Sequence, residues 1–525
     1  MNLTDLLAEA ARAHPDRPAL LGPGHPDGVC ISFGQLEKDV RQITSFLRKE
    51  GFSTGDRILV LVPVGPDLYR VLLGLFRLGL TATFVDPSAG REAITRAVER
   101  ARPVGFIGPR KAQLLRLLIP GLRRLKAYCT NGWFPLTCSW EAWRETPGEV
   151  DRPSLAPDTP ALLTFTSGST GTPKAAVRTH DFLLRQNASL TRHLPLPEGG
   201  VDLATLPIFV LSNLARGVTT LLPDADLRRP GFIEPGPVLA QIRRHRPSTT
   251  IASPAFLQRL LESDPEGAEL RQFQTIYTGG APLWPEFIER AARLPGPAEW
   301  VAVFGSTEVE PIAHLSLRRM LELLNDPAAP LGLPAGRPVE GLTVRILADQ
   351  WGTPRKDVED LNQLPLRGPG EPGEIIVSGD HVLGSYLDGA GDKEALFRVG
   401  PTRWRRLGDA GFLDAEGVLW LLGRCAAGLT RKDEAKLYPI PVEMVARQFD
   451  WVRQVAMTTI GQPPILALET THDPSPDEEE MLRTRLWHCF GQEFRLLRLD
   501  TIPMDQRHNA KIDYPALEKK LARKI

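Results

Sequence analysis

The sequence is poor in cysteine and carries no net charge. Its 525 residues include five cysteines, an odd number that forms no C-x-x-C pair: Cys30, Cys129, Cys138, Cys425 and Cys489. This usage argues against a disulfide framework and predicts a reduced, cytoplasmic protein. Lysine plus arginine and aspartate plus glutamate both number 63. The overall charge therefore gives no reason to expect nucleic acid or an anionic membrane as a partner.

Long apolar runs and metal-site motifs are missing as well. The most apolar region, Val71 to Val85, is interrupted by Arg77, so no membrane-spanning helix is expected. The first twenty residues carry acids and lack the apolar core and cleavage site of a signal peptide. There is no H-E-x-x-H string and no cluster of cysteine and histidine, which argues against a zinc hydrolase.

One stretch, Leu162 to His180, stands out from this ordinary composition. It reads LLTFTSGSTGTPKAAVRTH, two short β-prone runs around a polar loop. Glycines allow the backbone to approach a bulky anion, and hydroxyl groups and a lysine add donors to phosphate oxygens. The stretch therefore predicts a phosphate-binding loop, whose candidate ligands are Thr166, Ser167, Gly168, Ser169, Thr170, Gly171, Thr172 and Lys174.

The loop differs from the common nucleotide-binding patterns. G-x-x-x-x-G-K-[ST] is absent because Pro173 precedes Lys174, and G-x-G-x-x-G is absent too. The string TSGSTGTPK instead resembles the phosphate loop of the adenylate-forming superfamily, which comprises acyl-CoA synthetases, peptide-synthetase adenylation domains and luciferases. The resemblance implies an enzyme that joins a carboxylic acid to ATP with Mg²⁺, producing acyl-AMP and pyrophosphate.

Further motifs carry the same resemblance along nearly the whole chain. Phe304-Gly305-Ser306-Thr307-Glu308 is similar to the family's aromatic-G-x-T-E motif, and Gly279-Gly280-Ala281-Pro282 is similar to its adenine loop. The resemblance implies that Phe304 stacks near adenine, that Thr307 contacts phosphate and that Glu308 holds Mg²⁺. A hard cation between carboxylate and phosphate oxygens is chemically reasonable.

The last motifs lie towards the C-terminus. Gly408-Asp409 resembles the pair that binds ribose hydroxyls, although Leu407 precedes it where the family usually has threonine. Gly423-Arg424 resembles the start of the family's hinge motif. Lys511 occupies the slot of the catalytic lysine, which would neutralise charge between the carboxylate and the α-phosphate during adenylation.

Alternating strand and helix patterns predict an α/β fold. Two β-α-β subdomains and a small distorted β-barrel form an N-terminal domain over residues 1–424, which binds ATP and the acyl group. A small mobile α+β domain over residues 425–525 carries the lysine. The first β-α-β series is expected within about the first 130 residues and the second after Asp202.

Two departures from the pattern bear on the substrate and on the acceptor. The hinge string Cys425-Ala426-Ala427-Gly428 is not followed by K-x-x-G, which puts thioester formation in doubt. Val210 stands where amino-acid-activating members have an aspartate, so nothing there would pair with an α-ammonium. Phe209, Val210 and Leu211 therefore predict an apolar acyl wall, with Gly279 beside it.

The strings Y-x-I-P-V-E and D-x-R-H-N-A-K-I resemble the β-lactone synthetases of bacterial olefin biosynthesis. That resemblance implies a long-chain β-hydroxy fatty acid whose own hydroxyl attacks the acyl-AMP. Transfer to CoA or to a carrier protein remains an alternative. A non-catalytic descendant that only binds nucleotide or an acyl group is a further one.

Overall fold

The structure is a computed structural model. It describes residues 2–23, 28–86, 90–148, 153–166, 174–431, 433–505 and 511–524. Seven predicted phosphate ligands are affected by these gaps. The side chain of Thr166 lies outside the described residues, as do Ser167, Gly168, Ser169, Thr170, Gly171 and Thr172.

Helices within these ranges are numbered in chain order. They are α1 (Leu3–Ala13), α2 (Phe33–Lys49), α3 (Pro66–Leu78), α4 (Gly90–Ala101), α5 (Arg110–Gln113), α6 (Leu115–Leu118), α7 (Pro120–Arg123), α8 (His180–His193), α9 (Pro207–Ala215), α10 (Pro235–His245), α11 (Pro254–Ser263), α12 (Pro285–Arg293), α13 (Leu317–Leu324), α14 (Asp392–Ala395), α15 (Pro439–Ala446), α16 (Pro476–Phe490) and α17 (Tyr514–Leu521). Short 3-10 helices span Trp140–Glu145, Pro230–Phe232, Leu270–Gln272, Leu361–Gln363, Leu387–Gly389 and Cys425–Ala427.

The strands of the described ranges follow the same convention. They are β1 (Pro18–Gly22), β2 (Val29–Ser32), β3 (Arg57–Val60), β4 (Thr81–Phe84), β5 (Gly105–Gly108), β6 (Lys126–Cys129), β7 (Cys138–Ser139), β8 (Pro160–Thr166), β9 (Lys174–Thr179), β10 (Val201–Ala204), β11 (Thr219–Leu221), β12 (Thr249–Ala252), β13 (Thr275–Gly279), β14 (Glu299–Ser306), β15 (Val309–Ser316), β16 (Leu333–Gly336), β17 (Leu342–Leu347), β18 (Gly373–Gly379), β19 (Leu396–Val399), β20 (Thr402–Leu413), β21 (Leu419–Arg424), β22 (Leu429–Thr430), β23 (Lys436–Leu437), β24 (Val452–Met457), β25 (Ile465–Thr470) and β26 (Arg495–Arg498).

The first sheet has the order β7-β6-β5-β3-β4-β8-β9. Its neighbours pair in parallel except for β8 and β9, which pair antiparallel with Thr166 opposite Lys174. The apolar runs of β3 and β5 are buried because helices cover the sheet, as continuous apolar strands require. The two β-prone runs that flank the polar loop are thus a strand pair, as predicted.

The second sheet, β15-β14-β13-β12-β10-β11-β1-β2, includes strands from the start of the chain. β1 pairs in parallel with β11, where Leu20 lies opposite Thr220. The prediction that the first 130 residues form one alternating series was therefore wrong at its beginning. The sequence of the five-residue strand β1 does not indicate which sheet it joins, because its apolar side chains could pack equally well at an edge of either sheet.

The antiparallel barrel-like sheet has the order β16-β21-β20-β18-β17, with β19 added beside β20. Its interior holds an ion pair between Glu374 and Arg406, 2.6 Å apart with both side chains fully buried. Arg406 also donates to the backbone carbonyls of Gln350 and Thr353, which ties the polar segment after β17 to the sheet. A buried ion pair is tolerated when its remaining donors are satisfied in this way.

The C-terminal part has its own small sheet, β24-β25-β26, and its own apolar clusters. The segment that leads into it packs elsewhere: the Cys425 and Tyr438 side chains belong to the apolar cluster of the barrel sheet, with Phe412 and Trp420. These contacts attach the connecting segment to the N-terminal part of the chain.

Candidate active site

Lys174 is the first residue of β9, at the edge of the first sheet. Its ammonium lies 3.8 Å from Glu394 Oε2 and 5.8 Å from the centroid of the Tyr386 ring. Gly391 makes room for this side chain, because a Cβ there would lie 2.5 Å from Lys174 Cε. Lys174 thus packs against the segment between β18 and β19.

Glu308 follows β14 in the tight turn to β15. Its carboxylate accepts a hydrogen bond from the Tyr386 hydroxyl at 2.7 Å, and its carbonyl accepts one from the Leu383 amide, also at 2.7 Å. Burial alone would raise the pKa of Glu308, but Arg405 and the hydrogen bonds of Tyr386 and Ser306 outweigh burial and lower it. The group is therefore a carboxylate at neutral pH.

Arg405 lies behind this carboxylate and is fully buried. Its Nε donates to the Leu383 carbonyl at 3.1 Å, and its guanidinium stacks 4.9 Å from the centroid of the Tyr386 ring. Within the described residues neither terminal nitrogen of Arg405 has a hydrogen-bond partner. Arg405 thus supplies a fixed positive charge beneath Glu308.

Asp409 and Arg424 face each other across β20 and β21. Arg424 Nη1 lies 3.2 Å from Asp409 Oδ1 and donates to the Leu407 carbonyl at 3.3 Å. The nearby aspartate raises the pKa of Arg424 against the opposing effect of burial. The two side chains therefore form one charged pair at the end of the barrel sheet.

Lys511, near the C-terminal end of the chain, interacts electrostatically with Asp409 and Arg424. Its backbone carbonyl accepts a hydrogen bond from the Asp505 amide at 2.7 Å, and Met504 pairs with Ile512, so the loop is closed at its base. Burial and the Arg424 charge lower the pKa of Lys511, whereas Asp409, Asp505 and Glu308 act to raise it. Lys511, Glu308, Asp409 and Arg424 thus interact electrostatically across both parts of the chain.

The adenine-loop residues lie at the carboxyl end of β13. A side chain on Gly279 would clash with the Val303 carbonyl oxygen of β14, and Gly280 has a φ of +85°, which favours glycine. Ala281 and Pro282 follow in the turn before α12. On the next strand, Phe304 is partly buried against the apolar cluster between β15 and the barrel sheet. These residues share one sheet edge with Thr307 and Glu308.

The three residues of the expected acyl wall lie on α9 and face different ways. Phe209 packs in a cluster that includes Ile251, Tyr277, Val301 and Val303 from strands β12, β13 and β14. Val210 and Leu211 belong instead to the large core cluster beneath the first sheet. Phe209 therefore forms a buried apolar cluster with residues of the second sheet, and Val210 and Leu211 lie outside that cluster.

Sequence reasoning missed two charged residues of this cleft. Arg178 on β9 donates to the Thr307 carbonyl at 3.0 Å, and burial lowers its pKa. Glu310, two residues beyond Glu308, packs its side chain against Gly305. Burial raises the pKa of Glu310 to about 7, opposed by Arg178 and Lys511. Neither residue belongs to a recognisable string; their positions on strands that end at the cleft were the available signal.

The described ranges contain no helix with both the length and the apolarity to cross a membrane. They also contain no group of three or more histidine, cysteine, aspartate or glutamate side chains arranged for a metal ion.

Known proteins are similar to this chain in sequence and in architecture. A family model described as "AMP-binding enzyme" matches residues 7–387. The olefin beta-lactone synthetase of Stenotrophomonas maltophilia (strain K279a) is 31% identical, covering 97% of this chain and 96% of its own length. The indoleacetate–CoA ligase of Aromatoleum aromaticum (strain DSM 19018 / LMG 30748 / EbN1) is 27% identical, with coverage of 87% and 85%.

Among solved structures, the anthranilate CoA ligase AuaEII in complex with anthranoyl-AMP has a TM-score of 0.81 and 18% identity, covering 100% of this chain and 98% of its own. This likeness confirms the predicted fold class. Together with the family match over most of the sequence, these findings show that the chain belongs to the AMP-binding enzyme family and is an AMP-forming ligase.

Proposed function

We propose that this ligase adenylates a long-chain β-hydroxy carboxylic acid with ATP and then closes the acyl-AMP to a β-lactone, releasing AMP. The observation that carries the adenylation step is the meeting of Lys511 with Glu308, Asp409 and Arg424. Lys511 brings a cation from the C-terminal part into electrostatic interaction with these N-terminal residues. Positive charge at this position supports a reaction between two anions, a carboxylate and a polyphosphate.

Within this proposal, the nucleotide lies along the carboxyl ends of the two large sheets. Asp409 accepts hydrogen bonds from the ribose hydroxyls, Lys174 and Thr307 contact phosphate oxygens, and Arg424 holds Asp409 in place. The phosphate-loop residues Thr166 to Thr172 surround the triphosphate. Gly279, Gly280, Ala281, Pro282, Phe304, Gly305 and Ser306 border adenine.

The donor chemistry of Glu308 fits Mg²⁺. The residue is ionised, and Tyr386 donates to one of its oxygens, Oε1. Mg²⁺ is commonly held by one or two carboxylates together with water and substrate phosphate oxygens. Bound there, the ion would neutralise phosphate charge.

In the first step a carboxylate oxygen of the acid attacks the α-phosphorus of ATP, and the bond to pyrophosphate breaks. Negative charge gathers between the carboxylate and the α-phosphate, where the Lys511 ammonium is proposed to lie. Arg405, buried beside Glu308, and Arg178, which is partly buried and donates to the Thr307 carbonyl, add positive charge that is already in place before the reaction. Such fixed charges need no reorganisation during the step.

In the second step the β-hydroxyl oxygen attacks the acyl carbon, the bond to AMP breaks and the hydroxyl proton is released. The nucleophile is part of the substrate, so it has a high effective concentration and needs no thiol site. Three features support this ending: the apolar, uncharged surroundings of Phe209, the hinge string that lacks K-x-x-G, and the similarity to an olefin beta-lactone synthetase over nearly the whole chain.

Incubation with ATP, Mg²⁺ and a β-hydroxy fatty acid, with and without CoA, tests the proposal. We expect pyrophosphate, AMP and a β-lactone without CoA, and a bound acyl-AMP from the acid that lacks the hydroxyl. Efficient CoA thioester formation from the simple acid, without lactone from the hydroxy acid, would favour the second candidate, an acyl-CoA synthetase. The similarity to indoleacetate–CoA ligase supports that candidate. Binding without pyrophosphate release would indicate a non-catalytic descendant.

A further inference from the structure

Exposed apolar side chains are concentrated in one stretch of the chain. Eleven large hydrophobic residues are exposed in the described ranges, and six of them fall between residues 104 and 136. Leu136 is 90% exposed and Trp133 is 73% exposed. We call this set the apolar patch; its members are Val104, Leu114, Leu117, Leu118, Trp133 and Leu136.

Two segments of the patch are fixed side by side. Leu114, Leu117 and Leu118 recur at helical spacing along the continuous α5–α6 segment, so they share one face. The loop that carries Trp133 and Leu136 is held against it, because the Arg116 guanidinium donates to the Leu136 carbonyl at 3.0 Å. The patch is therefore a built surface, not a set of scattered side chains.

The same stretch is strongly basic. From Arg100 to Trp140 the chain has eight arginine or lysine residues and no aspartate or glutamate, although the whole chain is neutral. Six of the eight are exposed: Arg102, Arg110, Lys111, Arg123, Arg124 and Lys126. Lys126 pairs with Glu50 at 2.7 Å, and Arg123 donates to the carbonyls of Arg116 and Leu117. The other four form no ion pair with a described residue.

The patch lies far from the candidate active site. It surrounds β6 and β7, at one edge of the first sheet, whereas the phosphate-loop strands β8 and β9 form the opposite edge. None of its residues contributes to the cluster of Glu308, Asp409 and Lys511. The adenylation chemistry therefore does not explain why these apolar side chains are exposed.

We propose that the apolar patch and its basic residues dock the protein on an anionic lipid bilayer. Leucine and tryptophan side chains beside arginine and lysine are the composition of interfacial membrane-binding segments, in which the rings and leucines enter the headgroup boundary. The cations pair with anionic headgroups. A second copy is a poorer occupant, because it would oppose two surfaces of the same positive charge. The sequence-based expectation of no anionic membrane partner rested on total charge, which conceals this local excess.

Co-sedimentation with vesicles tests the proposal on the full-length protein. We expect binding to equimolar phosphatidylglycerol and phosphatidylcholine, release by raised salt, and little binding to phosphatidylcholine alone. Arg110→Glu with Lys111→Glu should weaken partitioning by more than about 25-fold, since each cation lost is worth about fivefold. Leu117→Ser with Trp133→Ser should weaken it by at least about tenfold.

Matched variants on the C-terminal part serve as controls. Met481→Ser with Trp487→Ser removes two other exposed apolar side chains, and Lys519→Glu with Arg523→Glu repeats the charge reversal. Both pairs should bind vesicles like the unchanged protein, and unchanged melting curves of all variants show that they fold. The proposal is wrong if the unchanged protein stays in solution with anionic vesicles, or if the patch variants sediment with them equally well. A dimer that the patch variants abolish, without vesicle binding, would assign the surface to a second copy.

Discussion

Replacing Lys511 by alanine separates the two steps of the proposed reaction. The ammonium interacts electrostatically with Glu308, Asp409 and Arg424, and its neighbour Ile512 pairs with Met504. Removing one preorganised group that stabilises developing charge typically costs about 100- to 1,000-fold in kcat. We expect a loss of this size in acyl-AMP formation. ATP binding should weaken little, because its proposed ligands lie mainly in the N-terminal part.

The assay follows pyrophosphate release and, separately, lactone formation from a synthetic β-hydroxyacyl adenylate. The Lys511→Ala variant should be slow in the first reaction and near normal in the second, because the lysine is proposed to act before the acyl-AMP exists. Lys519→Ala, an exposed lysine on α17, is the matched control and should change neither rate. Pyrophosphate release within twofold of the unchanged enzyme would refute the assigned role of Lys511.

Three further predictions rest on other contacts. Glu308→Gln should lower the rate of pyrophosphate release about 100-fold, and added Mg²⁺ should restore part of that rate. Glu322→Gln, at an exposed position, serves as the control. An unaltered Mg²⁺ dependence of the Glu308→Gln variant would count against the metal role. Arg447→Ala removes a guanidinium that stacks 4.2 Å from the Trp284 ring centroid and lies 3.5 Å from Glu286, and should slow adenylation roughly five- to thirty-fold. Arg453→Ala is its control, and equal rates would show that this contact does not hold the C-terminal part.

His180 gives the third: burial lowers its pKa to about 4 from an ordinary 6.5, so the unfolded chain binds the extra proton between these values. Stability should therefore fall by about 3 kcal/mol as the pH drops from 6.5 to 4, and less in His180→Leu, as urea titrations can show.

Local elements were predictable because each depended on a local pattern. Apolar residues near helical spacing, followed by Gly51, predict a helix from Phe33 to Glu50; this helix is α2, which begins after Ser32 and ends at Lys49. Short β-prone runs predict strands at Thr249–Ala252 and Leu342–Leu347, and both strands have these bounds. Apolar spacing and turn residues set these boundaries, so no distant contact was needed to find them.

Features that depend on residues far apart in the chain could not be predicted from the sequence. The membership of β1 in the second sheet is set by pairing with β11, and the Tyr386–Glu308 hydrogen bond joins residues 78 positions apart. Tyr386, Arg178 and Glu310 belong to none of the site motifs described above. Their roles come from strand ends that converge in space, which a one-dimensional pattern does not record.

The contacts of the connecting segment bear on why an internal nucleophile suits this chain. Asp349, nearly fully buried, accepts hydrogen bonds from Lys436 at 2.8 Å and Tyr438 at 3.0 Å. Arg447 adds its stacking on Trp284. We expect that an external nucleophile would require the C-terminal part to leave this arrangement and to break the ion pair between Lys436 and the buried Asp349 carboxylate. Closure by the substrate's own hydroxyl requires no such exchange, so the arrangement that brings Lys511 to Glu308 can serve both proposed steps.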